Sequence, residues 1–230
     1  MQNSPTSFSF SRVMSGWWWL LDRDGLRIAQ FAAFWVLVKF GLYCVDHMIG
    51  LNQGLGLATT TFFADPFFVG VLYLVALSDD GRGPMQMTSE AARRYLAMLG
   101  LIVLTSLGMM IGFLLLIIPG IVLAILWSIA VPVLLAEQKG PIDAMHTSFD
   151  LVKGQFWPVL GSYCVFAVGL IAVLTILTFL DLSSVTGAPG PLLAIDAVVQ
   201  VITSIISIYL ASAIYREFGF GGRHDVAVFD

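Results

Sequence analysis

Residues 114–157 constrain the fold most, because their apolar run is too long for a single membrane crossing. Pro119 and Gly120 interrupt this run. Proline is not tolerated inside a helix and glycine reverses a chain at low cost, so the run is predicted to fold back as a tight helical hairpin. Charge returns at Glu137, and Gly140-Pro141 then starts another helix.

The composition places the chain in a membrane. Hydrophobic residues make up 58% of it, charged residues only 11%, and the mean hydropathy is +0.90. Soluble domains carry roughly 25% charged residues. The lipid bilayer is therefore the first partner that we expect. The net charge of -4 and the lack of a basic face argue against nucleic acid as a partner.

The predicted fold class is all-α: a polytopic membrane helical bundle of six transmembrane helices with amphipathic surface helices. The predicted spans cover residues 28–51, 58–78, 95–117, 121–136, 158–180 and 192–215. In the second span, Asp65 is interpreted as a helix N-cap and Pro66 as the first helical residue. This span either starts at Ala58 and kinks, or residues 59–64 enter as an irregular segment buried by protein. We favour the kink.

Two segments are predicted to lie on the membrane surface. Residues 8–21 carry a cluster of three tryptophans, and a charged turn at residues 22–25 separates them from the first span. Residues 143–156 form an amphipathic helix whose apolar face consists of Ile142, Met145, Phe149, Val152 and Phe156. The predicted organisation is a cytoplasmic N-terminal segment with an interfacial helix (1–27), a six-span transmembrane domain (28–216) and a mobile cytoplasmic tail (217–230).

Basic residues are segregated in this six-span arrangement. Ten of the eleven Lys and Arg residues fall in segments on one side, and the eleventh, Lys39, lies inside the first span. By the positive-inside rule, the N- and C-termini are predicted to be cytoplasmic.

The stretch 118–160 resembles a family of bacterial inner-membrane proteins, the YciC-like group, which is related to the membrane domain beside glycerophosphoryl diester phosphodiesterases. The resemblance rests on a structural motif of Pro119, Gly120, Trp127, Pro132, Glu137, Ser148, Gly154 and Trp157, together with Ala144, Leu151 and a Tyr215-Arg216 ending. It implies the six-span fold and a location in the cell inner membrane. It does not imply the phosphodiesterase reaction, because the catalytic domain is absent from the residues given.

A candidate intramembrane polar site begins at Lys39 in the first span. A lysine at the bilayer centre costs about 2.5–3.5 kcal/mol on insertion scales, so it must face protein or water. Tyr43 and Asp46 follow at i+4 and i+7 on the same helix face. One interpretation is a polar stripe that contacts a substrate or a partner helix. The other is a buried structural lysine with a carboxylate or carbonyl partner from another span.

The last span adds a small and polar face formed by Gln200, Ser204, Ser207 and Ala211. Such a face is typical of close helix packing, and a solute path is the alternative. Cys44 and Cys164 lie in apolar runs and are predicted to be buried free thiols. The three histidines have no metal-ligand spacing, and the nucleotide and nucleophile fingerprints are missing. We therefore expect no metal, no cofactor and no enzyme activity.

Two functions remain open from the sequence. The first is a non-enzymatic scaffold or accessory protein of the bacterial inner membrane that affects envelope organisation, with a membrane-protein partner or a second copy of the chain. The second is a transporter or permease for a small or lipid-like solute, for which Lys39 and the helix-interrupting prolines Pro66 and Pro132 argue.

Overall fold

The computed structural model describes residues 9–49, 63–78, 83–180 and 189–218, and the regular structure in these ranges is helical. Eight helices follow one another in the described ranges: α1 (Phe10–Ile49), α2 (Asp65–Leu77), α3 (Pro84–Leu115), α4 (Ile117–Leu126), α5 (Ala130–Ala136), α6 (Pro141–Lys153), α7 (Phe156–Leu180) and α8 (Pro189–Glu217).

Helix α2 lies at the centre of the bundle. Residues 71–76 are all buried, and α1, α3, α5 and α8 pack around them. The helix has 13 residues, so it is only about 20 Å long, well short of the ~30 Å hydrocarbon core. Within the described residues, this α-helix begins at Asp65. Residues 50–62, where the predicted kink would fall, lie outside the described residues.

The chain has the helical, multi-pass character of a membrane protein, but the predicted number of six spans is not confirmed. Among the described residues, four helical stretches are long and apolar enough to cross a membrane: Phe10–Leu42, Pro84–Leu115, Ile117–Ala136 and Ala197–Glu217. A fifth is present if α6 and the first part of α7, which bend by 97° at their junction, form one span. Helix α2 is apolar but too short for this group.

Helix α1 is continuous, so the predicted charged turn at residues 22–25 is wrong. The helix runs through Gly25 and across the predicted domain boundary at residue 27. The charges do not end the helix because they are satisfied within the fold: the buried Asp24 pairs with Arg23 at 2.7 Å, and Arg23 also donates to two carbonyls of α2. Residues 10–21, predicted as a separate surface helix, are the first turns of α1. Residue 8 lies outside the described residues.

The predicted hairpin is present, but its turn lies earlier than the Pro-Gly pair. The break is at Leu116, which has extended backbone angles (φ -167°, ψ 150°) between α3 and α4. Pro119 is the third residue of α4, where its missing N–H costs nothing because the first-turn donors have no partner inside the helix. Leu116 rather than Pro119-Gly120 therefore reverses the chain.

Gly120 permits close packing of the two hairpin arms. A Cβ atom on Gly112 would lie 3.0 Å from the Gly120 Cα, and a Cβ on Gly120 would overlap the Phe113 ring. Further along the hairpin, the Trp127 ring covers Gly108 so closely that a Cβ there would lie 2.5 Å from it. Gly108, Gly112 and Gly120 thus set the distance between α3 and α4.

Helix α6 is amphipathic as predicted, and its predicted apolar face is buried only in part, at Val152. Ala144, Ser148 and Val152 face the bundle, whereas Ile142 is 60% exposed and Phe149 is also exposed. Small residues allow the helix to approach the break between α4 and α5. There, the Ser148 hydroxyl donates a hydrogen bond of 2.8 Å to the Leu126 carbonyl.

Candidate functional site

The predicted intramembrane lysine is buried and has partners on two other helices. Lys39 is 2% exposed on α1. Its Nζ atom lies 3.0 Å from Asp65 Oδ2 on α2 and 2.9 Å from Gln200 Oε1 on α8. The Asp65 side chain is 22% exposed. One ion pair and one charge-assisted hydrogen bond therefore connect three helices around a single ammonium group.

Trp35 completes this group, which we call the lysine cluster: Trp35, Lys39, Asp65 and Gln200. The Trp35 indole donates to Asp65 Oδ1 at 2.8 Å, and its ring stacks on Phe68 with centroids 5.4 Å apart. The Lys39 ammonium lies 5.6 Å from the same indole ring. Asp65 makes no side-chain cap of the α2 backbone, so the predicted N-cap role is wrong. Ala64 is the N-cap, and Pro66 follows at the second helical position.

The other predicted polar residues divide into those outside the cluster and those whose side chains are not described. Tyr43 and Asp46 lie in α1, but their side chains are outside the described part of the structure. Ser204 donates to the Gln200 carbonyl of its own helix at 2.9 Å, and Ser207 is exposed. Of the polar residues predicted on α8, Gln200 is the one that contacts Lys39.

A second polar group lies at the C-terminal end of α2. Arg23 donates from Nη2 to the carbonyls of Val75 and Ala76, at 3.1 and 3.3 Å. Arg216 on α8 donates to the Ala76 carbonyl at 3.0 Å. We call Arg23, Asp24, Arg216 and these two carbonyls the arginine cluster. Cations stabilise the negative end of a helix dipole and satisfy the last carbonyls, which have no partner within the helix.

The two clusters are separated by the same number of residues on both flanking helices, α1 and α8. Arg23 and Lys39 are 16 residues apart on α1, and Gln200 and Arg216 are 16 residues apart on α8. This separation is about 24 Å of helix in both cases. Helices α1 and α8 pack against each other in opposite directions, since Arg12 also pairs with Glu217 at 2.7 Å. Both therefore present one polar residue to each end of α2.

The motif residues have structural contacts. Pro132 is buried as the third residue of α5, which places it, like Pro119, in a first turn. Glu137 accepts a hydrogen bond from the Tyr215 hydroxyl at 3.3 Å and pairs with Lys139 at 2.6 Å. Gly154 ends α6. Trp157 is 77% exposed beside Phe156 at the start of α7.

Within the described ranges, no group of three or more His, Cys, Asp and Glu residues is close enough to hold a metal ion. Cys164 is exposed and Cys44 is half-buried, so the expected burial of both thiols is wrong. On α6, the hydrogen bond from Lys153 holds the pKa of the Asp150 carboxyl below its ordinary value.

Sequence reasoning missed Asp65, Trp35, Arg23 and Arg216 as members of these clusters. A signal for the first was present, because Asp65 is the one charged residue in the predicted second span and Lys39 the one basic residue in the first. A lone acid and a lone base in neighbouring spans indicate an ion pair, because either charge alone is costly in lipid. The arginine cluster had no such signal, since its acceptors are backbone carbonyls.

Comparison with known proteins gives a family match over most of the bundle. A model described as "Uncharacterised protein family (UPF0259)" matches residues 57–215. This range includes Asp65, Gln200 and the hairpin, whereas α1 with Lys39 lies before it. No solved structure matches this chain.

A curated relative agrees with this match. A UPF0259 membrane protein of Pectobacterium carotovorum subsp. carotovorum (strain PC1) is 29% identical over 143 residues, which are 61% of this chain and 56% of the relative. The match thus spans little more than half the length of that relative.

Proposed function

Because the chain belongs to the uncharacterised family UPF0259, a YciC-like family of membrane proteins, we propose that it is a non-enzymatic scaffold or accessory protein of the bacterial inner membrane that affects envelope organisation. The family and the multi-pass helical character support a membrane role. The further relation of this group to the membrane domain beside glycerophosphoryl diester phosphodiesterases stays a prediction.

One observation carries the scaffold proposal: the buried ammonium of Lys39 is bound by groups of the same chain. Asp65 and Gln200 accept its hydrogen bonds, and the Trp35 ring covers it. A residue that binds a solute needs donors or acceptors directed toward that solute. Two of the three N–H donors of Lys39 are directed toward α2 and α8, where they hold three helices together.

We also propose that both termini are cytoplasmic. Support comes from contacts that bring together the helix ends predicted to lie on the cytoplasmic side: Arg12 with Glu217, Arg23 and Arg216 with Ala76, and Glu137 with Tyr215. A cysteine at Ser184, in a background without Cys44 and Cys164, should react with an impermeant thiol reagent added to intact cells. A cysteine at Ser89 should not react. The reverse labelling would overturn this orientation.

The double variant Lys39→Met/Asp65→Asn tests the scaffold proposal. It removes both charges of the ion pair together, so neither is left alone in the bundle. The expected result is normal accumulation in the membrane and full rescue of the envelope phenotype of a deletion strain. The matched control, Ser207→Ala, changes an exposed polar residue on α8 and should rescue equally. A double variant that accumulates normally but fails to rescue would contradict the proposal.

Partner binding is the second test. Affinity capture of the tagged chain from native membranes should retain the same membrane proteins, or a second copy of the chain, for wild type and the double variant. Retention of no protein beyond the background of an untagged strain would count against a scaffold.

A transporter or permease for a small or lipid-like solute is the second candidate. It is favoured by two features of the bundle: the short helix α2, and the break between α4 and α5 at residues 127–129. Broken helices often form transport sites. The same double variant separates the two candidates, because a transporter that uses Lys39 would lose function while its folded amount stays normal.

A further inference from the structure

A polar groove lies beside the N-terminal part of α3. It has a volume of about 570 Å³ and is lined mainly by Gln86, Glu90, Arg93, Arg94 and Gln138. The first four belong to α3, and Gln138 belongs to the turn between α5 and α6, where it adopts a positive φ of 54°. This turn brings Gln138 to the groove that α3 forms.

The groove lies at the depth of lipid headgroups. Arg93 and Arg94 are the last charged residues of α3 before residues 95–115, which carry no charge. These 21 residues are about 31 Å long, which matches the ~30 Å thickness of the hydrocarbon core. The two guanidinium groups therefore stand where the phosphates of one leaflet lie.

The chemistry of the groove suits an anionic phosphate. Arg93 is exposed and Arg94 is half-buried. The ion pairs formed within the described part of the chain include neither of them. Of the described residues that line the groove, two are arginines and one, Glu90, is an acid, so positive charge prevails among them. Arginine binds phosphate oxygens in pairs, and the amides of Gln86 and Gln138 add neutral donors.

An apolar track continues from the groove along α3. Leu96 is 78% exposed, and Val103 and Leu107 are also exposed. Their spacing of 7 and 4 residues places them on the same helix face as Arg93. A molecule with a phosphate at Arg93 and an acyl chain would thus find apolar surface toward the bilayer centre.

We propose that this groove binds the headgroup of an anionic phospholipid from the leaflet on the side of the arginine cluster. The arginines hold the phosphate, the glutamine amides hold the headgroup oxygens, and an acyl chain follows Leu96 and Leu107. The site is independent of the lysine cluster and does not depend on whether the protein is a scaffold or a transporter.

The test uses the full chain purified in neutral detergent with phosphatidylglycerol and phosphatidylcholine of equal acyl length. Native mass spectrometry then measures the ratio of the two lipids retained. Wild type should retain phosphatidylglycerol preferentially. Each arginine near the surface adds about fivefold to affinity for an anionic lipid, so Arg93→Gln/Arg94→Gln should lower the ratio by about 30-fold. The charge-conserving pair Arg93→Lys/Arg94→Lys should keep most of the preference.

Controls separate this site from general charge effects. Lys153→Gln removes an exposed positive charge at the far end of α6 and should change the ratio less than twofold. Inorganic phosphate at millimolar concentration should not displace the lipid, because it lacks the acyl chain. The proposal is overturned if Lys153→Gln has the same effect as the arginine variants, if wild type shows no preference, or if inorganic phosphate competes fully. Should the double variant fail to fold, Arg93→Gln alone is expected to give about a fivefold loss.

Discussion

The two ends of helix α2 are stabilised in different ways. At its N-terminal end, the buried Lys39 meets a carboxylate, Asp65, and an amide, Gln200. At its C-terminal end, Arg23 and Arg216 meet backbone carbonyls. At the N-terminal end the negative group is a side chain, so a substitution can remove it. At the C-terminal end the negative groups are mainly backbone carbonyls of α2, which no side-chain substitution removes. The comparison predicts that the N-terminal end is the more vulnerable of the two.

The largest effect is expected for Asp65→Leu, which breaks the N-terminal end. It leaves the Lys39 ammonium buried with an amide as its remaining side-chain acceptor. Removal of one partner of a buried ion pair typically costs about 3–5 kcal/mol in the free energy of unfolding. Denaturant titration of the purified protein in bicelles measures this quantity.

The control for this experiment restores the charge balance. Lys39→Met/Asp65→Leu should recover most of the lost stability, because an apolar pair of similar volume often replaces a buried ion pair without loss. If the double variant is as unstable as Asp65→Leu, the ion pair is not the cause.

The next effect compares the two arginines at the C-terminal end. Arg23→Met removes the bonds to two carbonyls and leaves the buried Asp24 without its ion-pair partner, so we expect a loss of about 2–3 kcal/mol. Arg216→Met leaves Ala76 still bound to Arg23, and we expect about 1 kcal/mol. The same titration ranks them. Equal losses would mean that Asp24 does not contribute to the difference.

The hairpin provides a comparison remote from both ends of α2. Gly112→Ala places a Cβ 3.0 Å from Gly120 and should cost about 1–3 kcal/mol through overpacking. Pro119→Ala should stay within about 0.5 kcal/mol of wild type, because Leu116 forms the turn. Thermal unfolding in detergent checks both. A larger loss of stability for Pro119→Ala than for Gly112→Ala would indicate that the Pro119-Gly120 pair, rather than Leu116, forms the turn.

The last effect concerns a carbonyl that is bound by a neutral donor. Ser148→Ala leaves the Leu126 carbonyl without its hydroxyl partner, and we expect a loss of about 1 kcal/mol. This value sharpens the comparison with Ala76, whose carbonyl is bound by charged donors. Ser148→Thr keeps the hydroxyl and serves as the control. If Ser148→Ala does not change the free energy of unfolding, the hydrogen bond to the Leu126 carbonyl does not contribute to stability.

Much of the helical framework was predictable, because hydrophobic runs and prolines are local signals. Such signals predict the hairpin and the amphipathic character of α6. They also led to one of the two interpretations of Lys39, a buried lysine with a carboxylate partner. Local signals do not specify which neighbour satisfies a polar group. The charged residues 22–25 suggest a turn by composition, yet α1 continues because Val75 and Ala76, about fifty residues later, accept Arg23.

The exposure of large apolar residues on α6 has a related explanation. Periodicity identifies the large apolar residues Ile142 and Phe149 as one face, and in a soluble protein that face would be buried. In a membrane protein the exposed face is also apolar, because lipid rather than water surrounds it. Ala144 and Ser148 are buried because small side chains fit against the helix break. In membrane helices, residue size thus predicts burial where hydrophobicity does not.

The position of α2 between α1 and α8 has a consequence for biosynthesis. Chain synthesis delivers α1, with Arg23 and Lys39, before α2, so the short helix enters the bilayer with one set of partners already present. Gln200 and Arg216 are made last. Until α8 emerges from the ribosome, both ends of α2 lack one of their donors or acceptors. Truncated chains that stop before α8 therefore expose unsatisfied polar groups in the bilayer, which makes them substrates for membrane proteases rather than stable fragments.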